Sequence, residues 1–140
     1  MLTKEEISLI TQAIREAEQQ TTGEIRVYIA KKCKYEPYAK AVTLFHKHKM
    51  QKTKHRNGVL IFVSPTDKKA AIVGDRGIHG VAESAFWDDI LNKMLESFAQ
   101  GFIAEGICKA ISMVGELIKI RFPMEDGNIN ELSDDVIFEK

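Results

Sequence analysis

The chain has 140 residues, with 20 Lys and Arg against 20 Asp and Glu, 44% hydrophobic residues, nine Gly and three Pro. That length fits one domain, and that apolar share excludes a disordered chain. A formal net charge of zero argues against a nucleic-acid partner, because binding through bulk charge needs a basic excess. No run of about 18 apolar residues exists, so no membrane span is expected. Met1-Leu2-Thr3-Lys4-Glu5-Glu6 reaches acids before any apolar block and does not read as a signal peptide. Cys33 and Cys108 lie far apart without CxxC spacing, against a disulfide framework or a zinc site. The expectation is a soluble cytoplasmic domain with free thiols.

Thr3 and Glu6 form a capping-box pattern that starts a helix. Ile7, Ile10, Ile14 and Ala17 then recur on one stripe, and the helix fades near Gln19-Gln20-Thr21-Thr22-Gly23. Glu24-Ile25-Arg26-Val27-Tyr28-Ile29-Ala30 alternates with period two, which predicts a strand with one face wetter than the other. Pro37 suits the first turn of a second helix, with Ala41, Leu44, Phe45 and His48 on its inner face. Asn57-Gly58 marks a turn before Val59-Leu60-Ile61-Phe62-Val63, whose unbroken apolar run predicts a strand buried on both faces.

Ser64-Pro65-Thr66-Asp67 turns the chain, and Ala70-Ala71-Ile72-Val73 returns it as a hairpin partner. After the glycine-punctuated loop Gly74-Asp75-Arg76-Gly77-Ile78-His79-Gly80, Phe86, Ile90, Met94 and Phe98 repeat at four-residue steps, an amphipathic helix ending near Gly101. Ile107, Ile111, Val114 and Ile118 form another stripe, stopped by Pro123. The order is α-β-α-β-β-α-α, an α/β fold: a three-layer α/β/α sandwich around a small mixed sheet. Residues 1–123 form the domain and 124–140 an acidic tail. Val136-Ile137-Phe138 is apolar enough to dock on the body, while the surrounding acids favour solvation.

The topology brings separate segments together. Parallel strands at 24–30 and 58–63 start on one edge of the sheet, and the hairpin strand finishes there. Glu24, Arg56-Asn57 and Asp75-Arg76-Gly77-Ile78-His79 therefore converge, with Asp88 and Asp89 of the next helix bordering the same groove. Hard carboxylate oxygens with loop carbonyls suit Ca²⁺ or Mg²⁺. The same residues also read as ordinary structure: a strand-to-helix connection with Asp75 capping a turn, a solvated Glu24, and two aspartates suited to a helix dipole.

Other constellations are weaker. His46, His48 and His55 lie among Lys47, Lys49, Lys52, Lys54 and Arg56, a stretch with no acid from residue 37 to 66. It reads as a solvated face or as a docking place for phosphate, an acidic partner or the acidic tail. Lys31, Lys32 and Lys34 surround Cys33, but no base at a nucleophile's spacing accompanies it.

Three successive blocks are similar to those of one family. Thr22-Gly23-Glu24-Ile25-Arg26-Val27, Asn57-Gly58-Val59-Leu60-Ile61-Phe62-Val63 and Val73-Gly74-Asp75-Arg76-Gly77-Ile78-His79-Gly80 resemble the TPM domain family, and the likeness runs over about residues 3 to 122. The segments after Gly101 look like a short soluble bacterial branch. The resemblance implies a compact α/β sandwich with a shallow acidic groove for a divalent cation, Ca²⁺ first and Mg²⁺ next. Family members have been credited with acid phosphatase activity.

Three functions follow as expectations. The first is Ca²⁺ or Mg²⁺ binding through Glu24, Asp75 and Asp88. The second is metal-assisted phosphatase chemistry, with Arg26, Arg56 or Arg76 steadying a phosphate, His79 donating a proton, and Asn57 and Gly77 in the groove. The third is a non-catalytic module for an unidentified protein partner.

Overall fold

The computed structural model describes residues 2–125 and 136–139. Helix α1 (Lys4–Glu18) begins on a reciprocal cap: Thr3 N donates to Glu6 Oε1 at 2.9 Å, and Glu6 N to Thr3 Oγ1 at 3.1 Å. Two amides that a helix start leaves bare are thereby satisfied. Helix α2 (Pro37–Lys47) starts on Pro37, where the missing N–H costs nothing. The Glu36 carboxylate accepts from Ala39 N at 3.1 Å and caps the same turn.

Strands β1 (Glu24–Ile29), β2 (Gly58–Ser64), β3 (Lys69–Gly74) and β4 (Val136–Phe138) form one sheet in the order β3-β2-β1-β4. β1 and β2 run parallel across α2, β3 returns antiparallel, and β4 pairs parallel to β1 from Val27 to Ile29. β4 is an addition to the α-β-α-β-β-α-α order. It falls within residues 124–140, and the rest of the acid-rich stretch, 126–135, lies outside the described residues.

The sheet is the middle of three layers. Tyr28, Leu60, Phe62, Ala71 and Val73 face α2 through Ala41, Leu44 and Phe45. Ile25, Val27, Val59, Ile61 and Val63 face the opposite layer of α1, α3 (Ser84–Ala99) and α4 (Ile103–Arg121). There Ile10, Ile14, Ile90, Met94, Phe98, Ile107, Ile111, Val114 and Ile118 close the core. α4 lies against both α1 and α3. Among the described residues, no helix is long and apolar enough to cross a membrane.

Two expectations change. β1 is covered on both faces: Glu24 is 3% exposed and Arg26 6%. The polar positions of its alternation meet the segment after α2, where Arg26 Nη1 donates to His48 O at 3.3 Å and approaches Met50 Sδ at 3.8 Å. Phe86 leaves the buried stripe and is 55% exposed, in the first turn of α3, which begins at Ser84. Trp87, its neighbour, is half-buried against the core.

Candidate functional site

The segments that the topology was expected to gather do meet at one rim of the sheet. Glu24 stands opposite Gly58 in the β1–β2 register, with Glu24 N donating to Asn57 O at 3.4 Å. On the other side of β2, Asp75 N donates to Gly58 O at 2.9 Å. Gly58 is thus flanked by Glu24 on one strand and Asp75 at the end of the other. All three continue the α2-facing alternation of Arg26 and Tyr28, Leu60 and Phe62, and Ala71 and Val73. Gly58 has no side chain to separate the two acids. An atom in its Cβ position would lie 3.0 Å from Met50 O and 3.5 Å from Met50 Cε, so the carbonyl and the terminal methyl of Met50 both border that gap.

Asp75 is already engaged. Arg56 Nε donates to Oδ2 at 2.7 Å and Arg56 Nη2 to Oδ1 at 2.9 Å, a two-pronged pair, and Arg76 N adds a third bond to Oδ1 at 2.7 Å. The carboxylate is 6% exposed, while the Arg56 side chain is 32% exposed. Burial pushes the Asp75 carboxyl up, but the Arg56 hydrogen bonds, the Arg76 amide and both guanidinium charges together hold it below the usual carboxylate range. The same hydrogen bonding raises Arg56 above its ordinary value.

Of the remaining expected residues, Asn57 and Arg76 stay at the rim through their backbones, while Arg26, His79 and Asp88 lie elsewhere. Arg26 is buried under His48 and Met50. Asn57 is fully buried: its N donates to Thr53 Oγ1 at 3.3 Å and its Nδ2 donates to Thr22 Oγ1 at 3.2 Å. Asn57 Oδ1 finds no hydrogen-bond partner among the described residues. Arg76 is exposed. His79 lines a separate cleft of about 330 Å³ with Tyr38, Gly74, Ile78 and Trp87. Asp88 is exposed on α3, whose buried stripe belongs to the opposite layer, and Asp89 pairs with Lys93 at 3.2 Å. Among the described residues no cluster of three or more His, Cys, Asp or Glu is arranged to hold a metal ion. Glu24, Asp75 and Asp88 therefore do not form a ready-made coordination set.

Two participants escaped the sequence reading. Met50 supplies the carbonyl beside Gly58, and nothing in its residue type signals that. Glu18 lines a cleft of about 290 Å³ together with Glu24, Arg15, Thr21, Gly23 and Met124. Its signal was legible: an acid as the last residue of a helix opposes the helix dipole, and such a placement asks for a reason. The reason is the sheet edge, where Ile25 N donates to Glu18 Oε2 at 2.8 Å.

The basic stretch after α2 meets the start of the acidic segment, with His55 Nε2 lying 3.2 Å from Glu125 Oε1. Cys33 is buried, its amide donating to Asp67 Oδ2 at 2.6 Å, and both cysteines are free thiols. A more apolar cleft of about 480 Å³, between Leu2, Ile7, Ile29, Pro65 and Phe138, opens at the opposite end of β1.

The comparisons with known proteins agree with this architecture. The chain is similar in structure to BA42 from the psychrophilic bacterium Bizionia argentinensis, with a TM-score of 0.90 and 38% identity, covering 99% of this chain and 96% of that one. The N-terminal domain of cg2496 from Corynebacterium glutamicum (TM-score 0.65, 13% identity, 98% of this chain and 80% of that one) shares the fold. So does an N-terminal domain from P. gingivalis (TM-score 0.69, 16% identity, 86% and 78%). No curated protein matches the sequence. Residues 1–117 match the TPM domain, and with the parallel β1–α2–β2 unit, the β3 hairpin and the helical layer in place, the chain belongs to the TPM domain family.

Proposed function

We propose that the rim at the start of β1 and β2 binds a divalent cation, Ca²⁺ or Mg²⁺, with Glu24 and Asp75 as its carboxylate donors. One observation carries this reading: the two buried acids flank Gly58 on one face, in register, with the Met50 carbonyl beside the gap. Two strand spacings separate their Cα atoms by about 10 Å. A Glu and an Asp side chain reaching toward each other span that distance around one ion, and carbonyls and water complete the shell of a hard cation. Asp88 has no part in this set. The phosphatase reading is left with fewer residues, since Arg26 is buried, Arg56 is paired with Asp75 and His79 lines another cleft, and exposed Arg76, next to Asp75, is its remaining phosphate contact.

Titration with CaCl₂ and with MgCl₂, followed by amide NMR, tests the proposal. Saturable shifts at Gly23, Glu24, Gly58, Asp75 and Arg76, abolished in Glu24→Gln, are expected. Absence of shifts at millimolar metal rejects it.

A second reading, a protein-interaction module, is favoured by the β3 edge. β3 ends the sheet, and among the described residues no strand pairs with its outer side. Exposed Tyr38 and half-buried Trp87 flank it beside Ile72, a setting for an added strand. A stoichiometric partner whose capture is lost in Ile72→Lys supports this reading; capture unchanged by Ile72→Lys opposes it.

A further inference from the structure

We propose that Arg56 is a built-in competitor for the cation at Asp75, so that metal binding and release of the Arg56 guanidinium are one event. The inference rests on the cation reading given above and names how that site is regulated. Its basis is the occupancy of Asp75. Both carboxylate oxygens accept from the Arg56 fork, at 2.7 and 2.9 Å, and Oδ1 accepts again from Arg76 N. A cation needs the same lone pairs, and a guanidinium between it and the carboxylate would add repulsion to steric exclusion.

The two halves of the pair differ in freedom. Asp75 is 6% exposed and tied through its own backbone, its N donating to Gly58 O and its O accepting from Ile78 N at 2.8 Å. The Arg56 side chain is 32% exposed, so it has a path to solvent without unfolding. Its backbone, by contrast, is held: Arg56 adopts φ 51, a left-handed conformation uncommon outside glycine, and its carbonyl accepts from Gly77 N at 2.8 Å. The guanidinium therefore leaves by side-chain rotation from a fixed point. Without metal, Arg56 neutralises a buried carboxylate that would otherwise be costly. With metal, the ion takes over that charge and Glu24 joins across Gly58.

A competitor of this kind lowers apparent metal affinity by the fraction of molecules in which Asp75 is free. Arg56→Gln should tighten Ca²⁺ binding at least about tenfold, if Asp75 is free in roughly a tenth of molecules or fewer. Arg56→Lys should give an intermediate gain, because an ammonium keeps the charge but loses the fork. Lys52→Gln removes an exposed charge from the same loop and should change affinity less than about twofold, because solvent and salt screen it. In the wild-type protein, saturation with CaCl₂ should move the Arg56 Nε–H resonance toward that of a solvated arginine.

Calorimetric and NMR titrations with CaCl₂ separate this idea from the one beneath it. Wild-type binding that Arg56→Gln leaves unchanged, or an Arg56 Nε–H signal unmoved at saturation, overturns the competitor and spares the cation site. Binding by Arg56→Gln but not by wild type upholds the competitor and removes the site from the native chain. Failure of both removes both. Should Arg56→Gln not fold, Arg56→Lys and the wild-type Nε–H signal decide.

Discussion

The amide of Gly77 donates to the carbonyl of Arg56 at 2.8 Å, and a Cβ on Gly77 would stand 2.5 Å from that oxygen and from His55 O. The loop after β3 thus docks on the loop before β2 backbone to backbone, which only glycine permits. Gly77→Ala should lower stability by at least about 2 kcal/mol, read from the urea midpoint, and should loosen the Arg56–Asp75 pair. Gly23→Ala makes a useful contrast. Its Cβ would approach Ile118 Cδ1 at 2.6 Å, the end of a side chain that can turn away, so about 1 kcal/mol is expected.

Asp75 should make the fold acid-sensitive. Despite its burial, hydrogen bonds from Arg56 and Arg76 hold its folded-state pKa below the ordinary value. A carboxyl with a depressed folded pKa stabilises the protein above its unfolded pKa of about 3.9, and that contribution is lost as pH falls through the folded value. Asp75→Asn should be less stable at pH 7 by about 1–3 kcal/mol, a figure moderated by the partial exposure of Arg56. It should also show a flatter stability profile between pH 5 and the acid limit of about 2. Urea unfolding at a series of pH values reads both.

Glu18 and β4 share the protection of one sheet edge. β4 covers Val27 to Ile29, and the Ile25 amide just before that stretch is satisfied by Glu18. Glu18→Ala should cost about 1 kcal/mol and speed hydrogen exchange at Ile25. Removing residues 136–140 should bare the later part of β1, lower the thermal midpoint and promote association at high concentration, measured by sedimentation.

Cys108 should be a sluggish thiol. Burial, and then the nearby Glu105 charge, push its pKa up, which lowers the thiolate fraction that reacts. Alkylation of Cys108 by iodoacetamide at pH 8 should be slower in the folded protein than in urea, and faster in Glu105→Gln than in wild type.

Features whose causes lie within a few residues were legible in the chain. The Thr3–Glu6 cap, the Pro37 start, the stripe from Ile107 to Ile118 and the double-sided burial of Val59 to Val63 follow from local spacing. The meeting of Glu24 with Asp75 at one rim was also legible, because strand direction alone places both there. The wet face expected for β1 was not correct, since it depends on what the segment after α2 does, and that segment carries no periodic signal. Phe86 kept the four-residue step of its helix but, in the first turn of α3, is exposed and not part of the buried stripe.

By itself, then, the sequence determined the order of seven elements, their buried stripes and the edge of the sheet at which the acids gather, because helix and strand periodicity are set by near neighbours. Tertiary structure alone decided that Asp75 is held by Arg56, that Met50 borders Gly58, that Glu18 guards Ile25 and that Val136–Phe138 adds a strand. Each of those contacts joins residues distant in the chain, so it exists only once the backbone has brought them within a few ångströms of one another.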